Sequence, residues 1–159
     1  MEFRSRAVRS LVELHETELR DFLAVWERFV ASGAAMPDAN GDPDYESPER
    51  LATHVVVAAR SYMMWIREQL GRPVTDLTLV RDAAEVAPRL RAHVEETLEG
   101  WRRHLADVVD ADLSPAVYTS RWGEPFLIEQ MLEHAIVHPM RHRIQLERAQ
   151  SAPARKNAS

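Results

Sequence analysis

The 159-residue chain is expected to be an all-α four-helix bundle, and three observations predict it. Four segments carry apolar residues at three- and four-residue spacing, the period of a helix with one buried face. Stretches rich in Gly, Pro and Asp separate those segments. No run keeps the two-residue alternation of a strand for more than a few positions, and there is neither an internal repeat nor a sustained heptad. Long amphipathic segments joined by loops bury their stripes most simply against one another, as a bundle.

The first helix is read over residues 5 to 31, with Val8, Leu11, Val12, Leu19, Phe22, Trp26 and Phe29 along one face and Ser32-Gly33 as its stop. "ASGAAMPDANGDPDYE" is then loop. In the second helix Ser47 is the N-cap and Pro48 sits at the first helical position, where a missing N–H costs nothing. Leu51, Val55, Ala58, Tyr62, Trp65 and Gln69 follow the helical period, and Gly71 closes the segment. After the connector "RPVTDLTLV", Asp82 and Glu85 look like a capping pair, but Pro88 places the regular third helix from about Ala87, with Leu90, Val94, Leu98, Trp101, Leu105 and Val108 as its stripe. Residues 110 to 124 are loop, and the last helix runs from Glu124 or Pro125 to Gln150. Residues 1–150 make one domain of a size that buries roughly 70% of its unfolded surface, and 151–159, "SAPARKNAS", read as a disordered tail.

The chain has no cysteine, which excludes disulfides, thiolate ligands and a cysteine nucleophile. A net charge of −5 argues against binding a phosphate backbone, so nucleic acid is not an expected partner. No run reaches the ~18 apolar residues of a membrane span and the N-terminus shows no signal-peptide pattern, so a cytoplasmic location is expected.

The chemistry concentrates in "MLEHAIVHPMRHRIQLERA", residues 131–149. At about 100° per residue, position 142 falls near the middle of the apolar arc made by Leu127, Ile128, Met131, Leu132, Ala135, Leu146 and Ala149. Position 138 lies about 40° to one side, and 134 at the edge. His138 and His142 therefore point into the bundle one turn apart, where two imidazoles can share one metal ion or each find a separate hydrogen-bond partner. A metal needs a third ligand from another helix. His93 and His104 sit among arginines and read as solvated, whereas His15 lies on the inner stripe of the first helix, His54 flanks the apolar face of the second, and periodicity does not choose between them. Pro139 removes a helical donor and pushes on the carbonyl of Ala135, so a bend or a local bulge is expected there.

"LATHVVVAARSYMMWI" followed by "LEHAIVHPMRHRIQL" resembles the DinB/YfiT-like superfamily of bacterial four-helix-bundle metalloproteins. Members carry one histidine near the start of the second helix and a His-x3-His pair on the last, running on into Arg-x-Gln. The resemblance implies His54, His138 and His142 as metal ligands, and Arg143 and Gln145 match the trailing motif; His134 matches a frequent extra histidine. Where members often have Glu after the first histidine of the pair this chain has Pro139, and where they often have Gly between the Arg and the Gln it has Ile144. Both replacements sit beside the pair and bear on which metal is held and how it reacts.

Three neutral imidazoles on a divalent ion would leave coordination positions open, the arrangement of a catalytic site. Imidazoles suit Zn, Ni, Fe, Co or Cu alike. Such an ion can lower the pKa of water towards ~7 or hold a thiolate. The resemblance implies both a metal-dependent hydrolase and an S-transferase or isomerase using a low-molecular-weight thiol, acting on a small-molecule substrate, with a homodimer as a further expectation. Gln145, Glu133 and His134 are candidates for supporting the ligands or the substrate, while Arg141 and Arg143 read as a solvated face. The competing class is a non-catalytic bundle, a dimerising or stress-response scaffold in which any metal only stabilises the fold.

Overall fold

The computed structural model describes residues 2–37 and 41–151. The tail expected over 151–159 therefore lies outside the described residues, save Ser151, which closes the last helix. The chain is mostly helical, with α1 (Arg6–Ser32), α2 (Pro48–Gln69), a one-turn α3 (Ala83–Val86), α4 (Leu90–Leu105) and α5 (Ile128–Ser151). The four long helices match the four periodic segments. α5 packs most extensively on α1, and α2 lies against both α4 and α5.

The caps explain where the helices begin and end. The Ser5 hydroxyl accepts from the Val8 N–H, and Ser47 accepts from Arg50 N, each meeting a donor that the first turn leaves open. Gly33 takes φ +64° to stop α1, a left-handed conformation in which a Cβ is strained. Ser5 also donates to Asp110 Oδ1 at 2.5 Å, fastening the start of α1 to the segment that follows α4.

Three stretches differ from expectation. The third helix does not start at Ala87: Asp82 caps one α turn, residues Ala87–Arg89 form a 3-10 turn around Pro88, and α4 begins at Leu90. Residues 110 to 124 are not all loop, because Tyr118–Thr119 pairs antiparallel with Pro125–Phe126 across a turn that holds Gly123 at φ +91°. That hairpin moves the start of α5 to Ile128. Finally, of the bend or local bulge expected at Pro139 the bulge is not formed, since α5 runs as unbroken α-helix through that residue, whose ring is buried.

The core is in two pieces. One apolar cluster gathers Leu19, Phe22, Phe29, Leu51, Val55, Leu90, Leu98 and Leu146; the other gathers Val8, Val12, Met63, Ile66, Trp101, Leu105, Met131 and Leu132. On three helices buried polar side chains fall between the two clusters, His15 on α1, Arg60 on α2, and His138 and His142 on α5, while on α4 His93 and Thr97 are buried among Leu90, Val94 and Leu98 of the first. Among the described residues no helix is long and apolar enough to cross a membrane.

Candidate metal centre

The periodicity of α5 puts His138 and His142 on its buried side, at 7% and 1% exposure. α2 brings His54, half-buried, to meet them. One ligand-capable nitrogen from each of these rings lies within 4.8 Å of the others, so the three side chains can hold a metal ion together. His15 is not part of this group. It is fully buried, stacked on Trp101 with ring centroids 4.0 Å apart, and neither of its nitrogens has a hydrogen-bond partner.

Hydrogen bonds fix which nitrogen of His54 and of His142 faces inward. Asp44 Oδ2 lies 2.6 Å from His54 Nδ1. The carboxylate accepts there, which leaves a lone pair on His54 Nε2, 3.0 Å from His138 Nε2; without a metal His138 Nε2–H donates to it, and a cation would take the place of that proton. Two imidazole nitrogens on one ion, each about 2.0–2.1 Å from it, stand roughly 3 Å apart, so the spacing suits a shared cation. His142 Nδ1 lies 3.0 Å from Gln145 Oε1 and 3.1 Å from the Tyr45 hydroxyl, and Tyr45 donates to the same Gln145 oxygen at 2.7 Å. Gln145 Oε1 is an acceptor only, so His142 Nδ1 carries the proton and Nε2 the lone pair. That Nε2 is buried with no partner in the protein, as is His138 Nδ1. A buried nitrogen left without a partner is costly, and a cation between the rings would satisfy His142 Nε2 directly.

The electrostatics point the same way. Burial pushes His138 down to about 2, helped by the neighbouring His142, His54, Arg141 and His134. Burial pushes His142 down to about 4, with His54 and Arg141 adding to it. Both rings are neutral at pH 7, the state a metal ligand needs.

The other expected residues fall in different places. His134 is half-buried at the rim, edge-on to Tyr62 with centroids 5.2 Å apart, and burial, with Arg141, lowers its pKa. Gln145 supports His142 as described, whereas Glu133 is exposed and, nine residues before His142, lies on the opposite side of the helix. Arg143 is not simply solvated: it is half-buried between Glu18 of α1 and Glu147. Arg141 is exposed as expected. His93 and His104 correct the reading that both are solvated. His93 is buried at 6% beneath Arg60, and His104 is half-buried with Nε2 2.9 Å from Asp76. The flanking arginines misled because neighbours one or two positions away on a helix face other directions.

Asp44 and Tyr45 were not anticipated. Both sit in the one-turn 3-10 helix Pro43–Tyr45, inside a stretch whose Gly, Pro and Asp content marked it only as a loop, and no periodicity singles them out. Two clefts open beside the histidines. One of about 450 Å3 lies against His54, with Asp44, Arg50, Arg81 and Asp82 in its wall. The other, of about 240 Å3, touches both His54 and His138 and is walled by Tyr62, Trp122, His134, Val137 and Arg141. Compared with family models, curated proteins and solved structures, the chain shows no match to any of them.

Proposed function

We propose that this chain is a metal-dependent enzyme of DinB/YfiT-like type, in which His54, His138 and His142 hold one divalent ion, with the reaction either hydrolysis or transfer or isomerisation with a low-molecular-weight thiol on a small-molecule substrate. One observation carries the reading. The outer contacts of Asp44 on His54 and of Tyr45 and Gln145 on His142 hold those two rings so that His54 Nε2 faces His138 Nε2 and His142 Nε2 is left without a protein partner.

When bound there, the ion supplies Lewis-acid polarisation of a substrate oxygen or sulfur. The protein does the rest. Burial keeps His138 and His142 uncharged and ready to donate lone pairs. Asp44 and the Tyr45–Gln145 pair hold two rings in one tautomer, the outer support that metal-bound histidines ordinarily have. The cleft against His54 and His138 gives a substrate access to the side of the cluster that the protein does not fill. A cytoplasmic homodimer is the setting this reading carries with it.

Elemental analysis of untagged protein tests the centre: about one divalent metal per chain is expected, lost in His54→Ala, His138→Ala and His142→Ala. Retention of metal by His54→Ala would remove the α2 ligand from the scheme. Chelation separates an enzyme from a scaffold. An open catalytic centre loses turnover towards electrophilic substrates, assayed with and without thiols, and keeps its helical circular dichroism; a structural site loses the helicity itself.

A further inference from the structure

We propose that the cleft between Tyr62, Trp122 and Arg141 binds a small organic carboxylate with an apolar, single-ring body, its charged end directed between Arg141 and the imidazoles of His54 and His138. The proposal builds on the metal centre for the second anchor of that carboxylate and on Arg141 for the first.

The walls select an apolar body. Trp122 is edge-on to Tyr62 with centroids 6.1 Å apart, and it tilts over His134 at 5.6 Å. Phe126 backs both Trp122 and His134, at 5.5 and 5.6 Å. Val137 completes the rim. Trp122 is 49% exposed and Val137 48%, so the mouth of the cleft is apolar and open to a ligand. At about 240 Å3 the space falls short of the ~300–1,000 Å3 of sites for drug-sized ligands, so it suits one ring and a short substituent.

The charge selects the other end. Arg141 makes no hydrogen bond or ion pair among the described residues, while Arg143, two positions further on and on the other side of the helix, is held by Glu18 and Glu147. Arg141 stands in the wall of the same cleft as His54, His134 and His138. No carboxylate lines this cleft among the described residues, and Asp44, the acid nearest the cluster, is already taken up by His54 Nδ1. A free planar fork of donors beside an aromatic wall matches a carboxylate in two hydrogen bonds at once, and a cation bound by three neutral imidazoles would add to the pull. The larger cleft beyond His54 lacks this bias, since Asp44 and Asp82 line it together with Arg50 and Arg81, and Arg50 is already paired with Glu46.

Isothermal titration of benzoate, benzamide and benzylamine into zinc-loaded and zinc-free protein tests the proposal, alongside Arg141→Gln and, as the control in the other cleft, Arg81→Gln. Benzoate is expected to bind about tenfold or more tightly than benzamide, with benzylamine weakest. Arg141→Gln should weaken benzoate about tenfold in both zinc states and leave benzamide unchanged, and Arg81→Gln should change neither. Equal binding of benzoate and benzamide, or a benzoate Kd indifferent to Arg141→Gln, overturns the proposal; loss through Arg81→Gln instead moves the site to the other cleft and overturns it equally. Zinc stoichiometry judges the metal centre separately. Protein that retains zinc but ignores Arg141→Gln loses only the cleft assignment, and protein that retains no zinc yet responds to Arg141→Gln in the zinc-free titration loses the metal centre and keeps the Arg141 site.

Discussion

Asp44 Oδ2 sits 2.6 Å from His54 Nδ1, so a carboxylate in the connector between α1 and α2 orients the one imidazole of the cluster that α2 supplies. A carboxylate in that position makes its imidazole a more basic ligand and holds the ring in place. Asp44→Ala is expected to weaken zinc affinity ~10–100-fold by competition with a chelating dye. The melting temperature of the metal-free protein should barely move, because Asp44 belongs to neither apolar cluster. An unchanged zinc affinity would show that the contact does nothing for the centre.

The buried imidazoles make the metal-free protein sensitive to acid. Burial holds His15 down to about 3, His138 to about 2 and His142 to about 4, against an ordinary 6.5. Below pH 6.5 the unfolded chain takes up protons on these rings that the folded chain refuses, so stability falls as pH falls and is flat, for this contribution, above 6.5. Each ring contributes a slope of about 1.4 kcal/mol per pH unit once fully developed. Urea unfolding between pH 6.5 and 4.5 should show the loss. His15→Leu should remove one ring's share of that slope and be no less stable at pH 7.5, since both nitrogens of His15 are buried without partners. A slope untouched by His15→Leu would contradict the assignment.

Arg60 links three elements from a site only 3% exposed. Its Nε donates to Thr97 Oγ1 at 2.9 Å, Nη1 to the Thr78 carbonyl at 3.0 Å, and Nη2 to the His93 carbonyl and Glu96 Oε2, both at 3.1 Å. Arg60→Ala leaves those acceptors and a void behind, at a cost of about 3 kcal/mol. Arg60→Lys should recover less than half of it, because a single ammonium cannot reach acceptors spread across the connector and α4. Chemical denaturation measures both.

Much of this was legible in the chain because burial repeats. The stripe Leu90, Val94, Leu98, Trp101, Leu105 and Val108 is wholly buried, and the same arithmetic on α5 placed His138 and His142 inside. The partner ring was harder. His15 lies within its stripe and His54 at the edge of its own, a difference that does not decide between them, and only the way α2 lies against α5 brings His54 to the pair while His15 meets Trp101. Asp44 and Tyr45 reach the cluster from a 3-10 turn of three residues, too short for any period to show. The two-residue strands at Tyr118 and Pro125 are equally silent, and Trp122, carried on the turn between them, gave no sign of facing His134. Contacts made by irregular backbone depend on where long helices leave their ends, which is a property of the whole fold.

The division of the core into two apolar clusters, with charged and imidazole side chains between, alters where the bundle should breathe. Amide protons in most helical bundles exchange slowest at mid-height. Here the slowest exchange should lie towards either end, near Phe22 with Leu98 and near Met63 with Met131, with faster exchange around His15, Arg60 and His138. Added zinc should slow that middle zone more than the ends, turning the weakest storey of the building into its tie-beam.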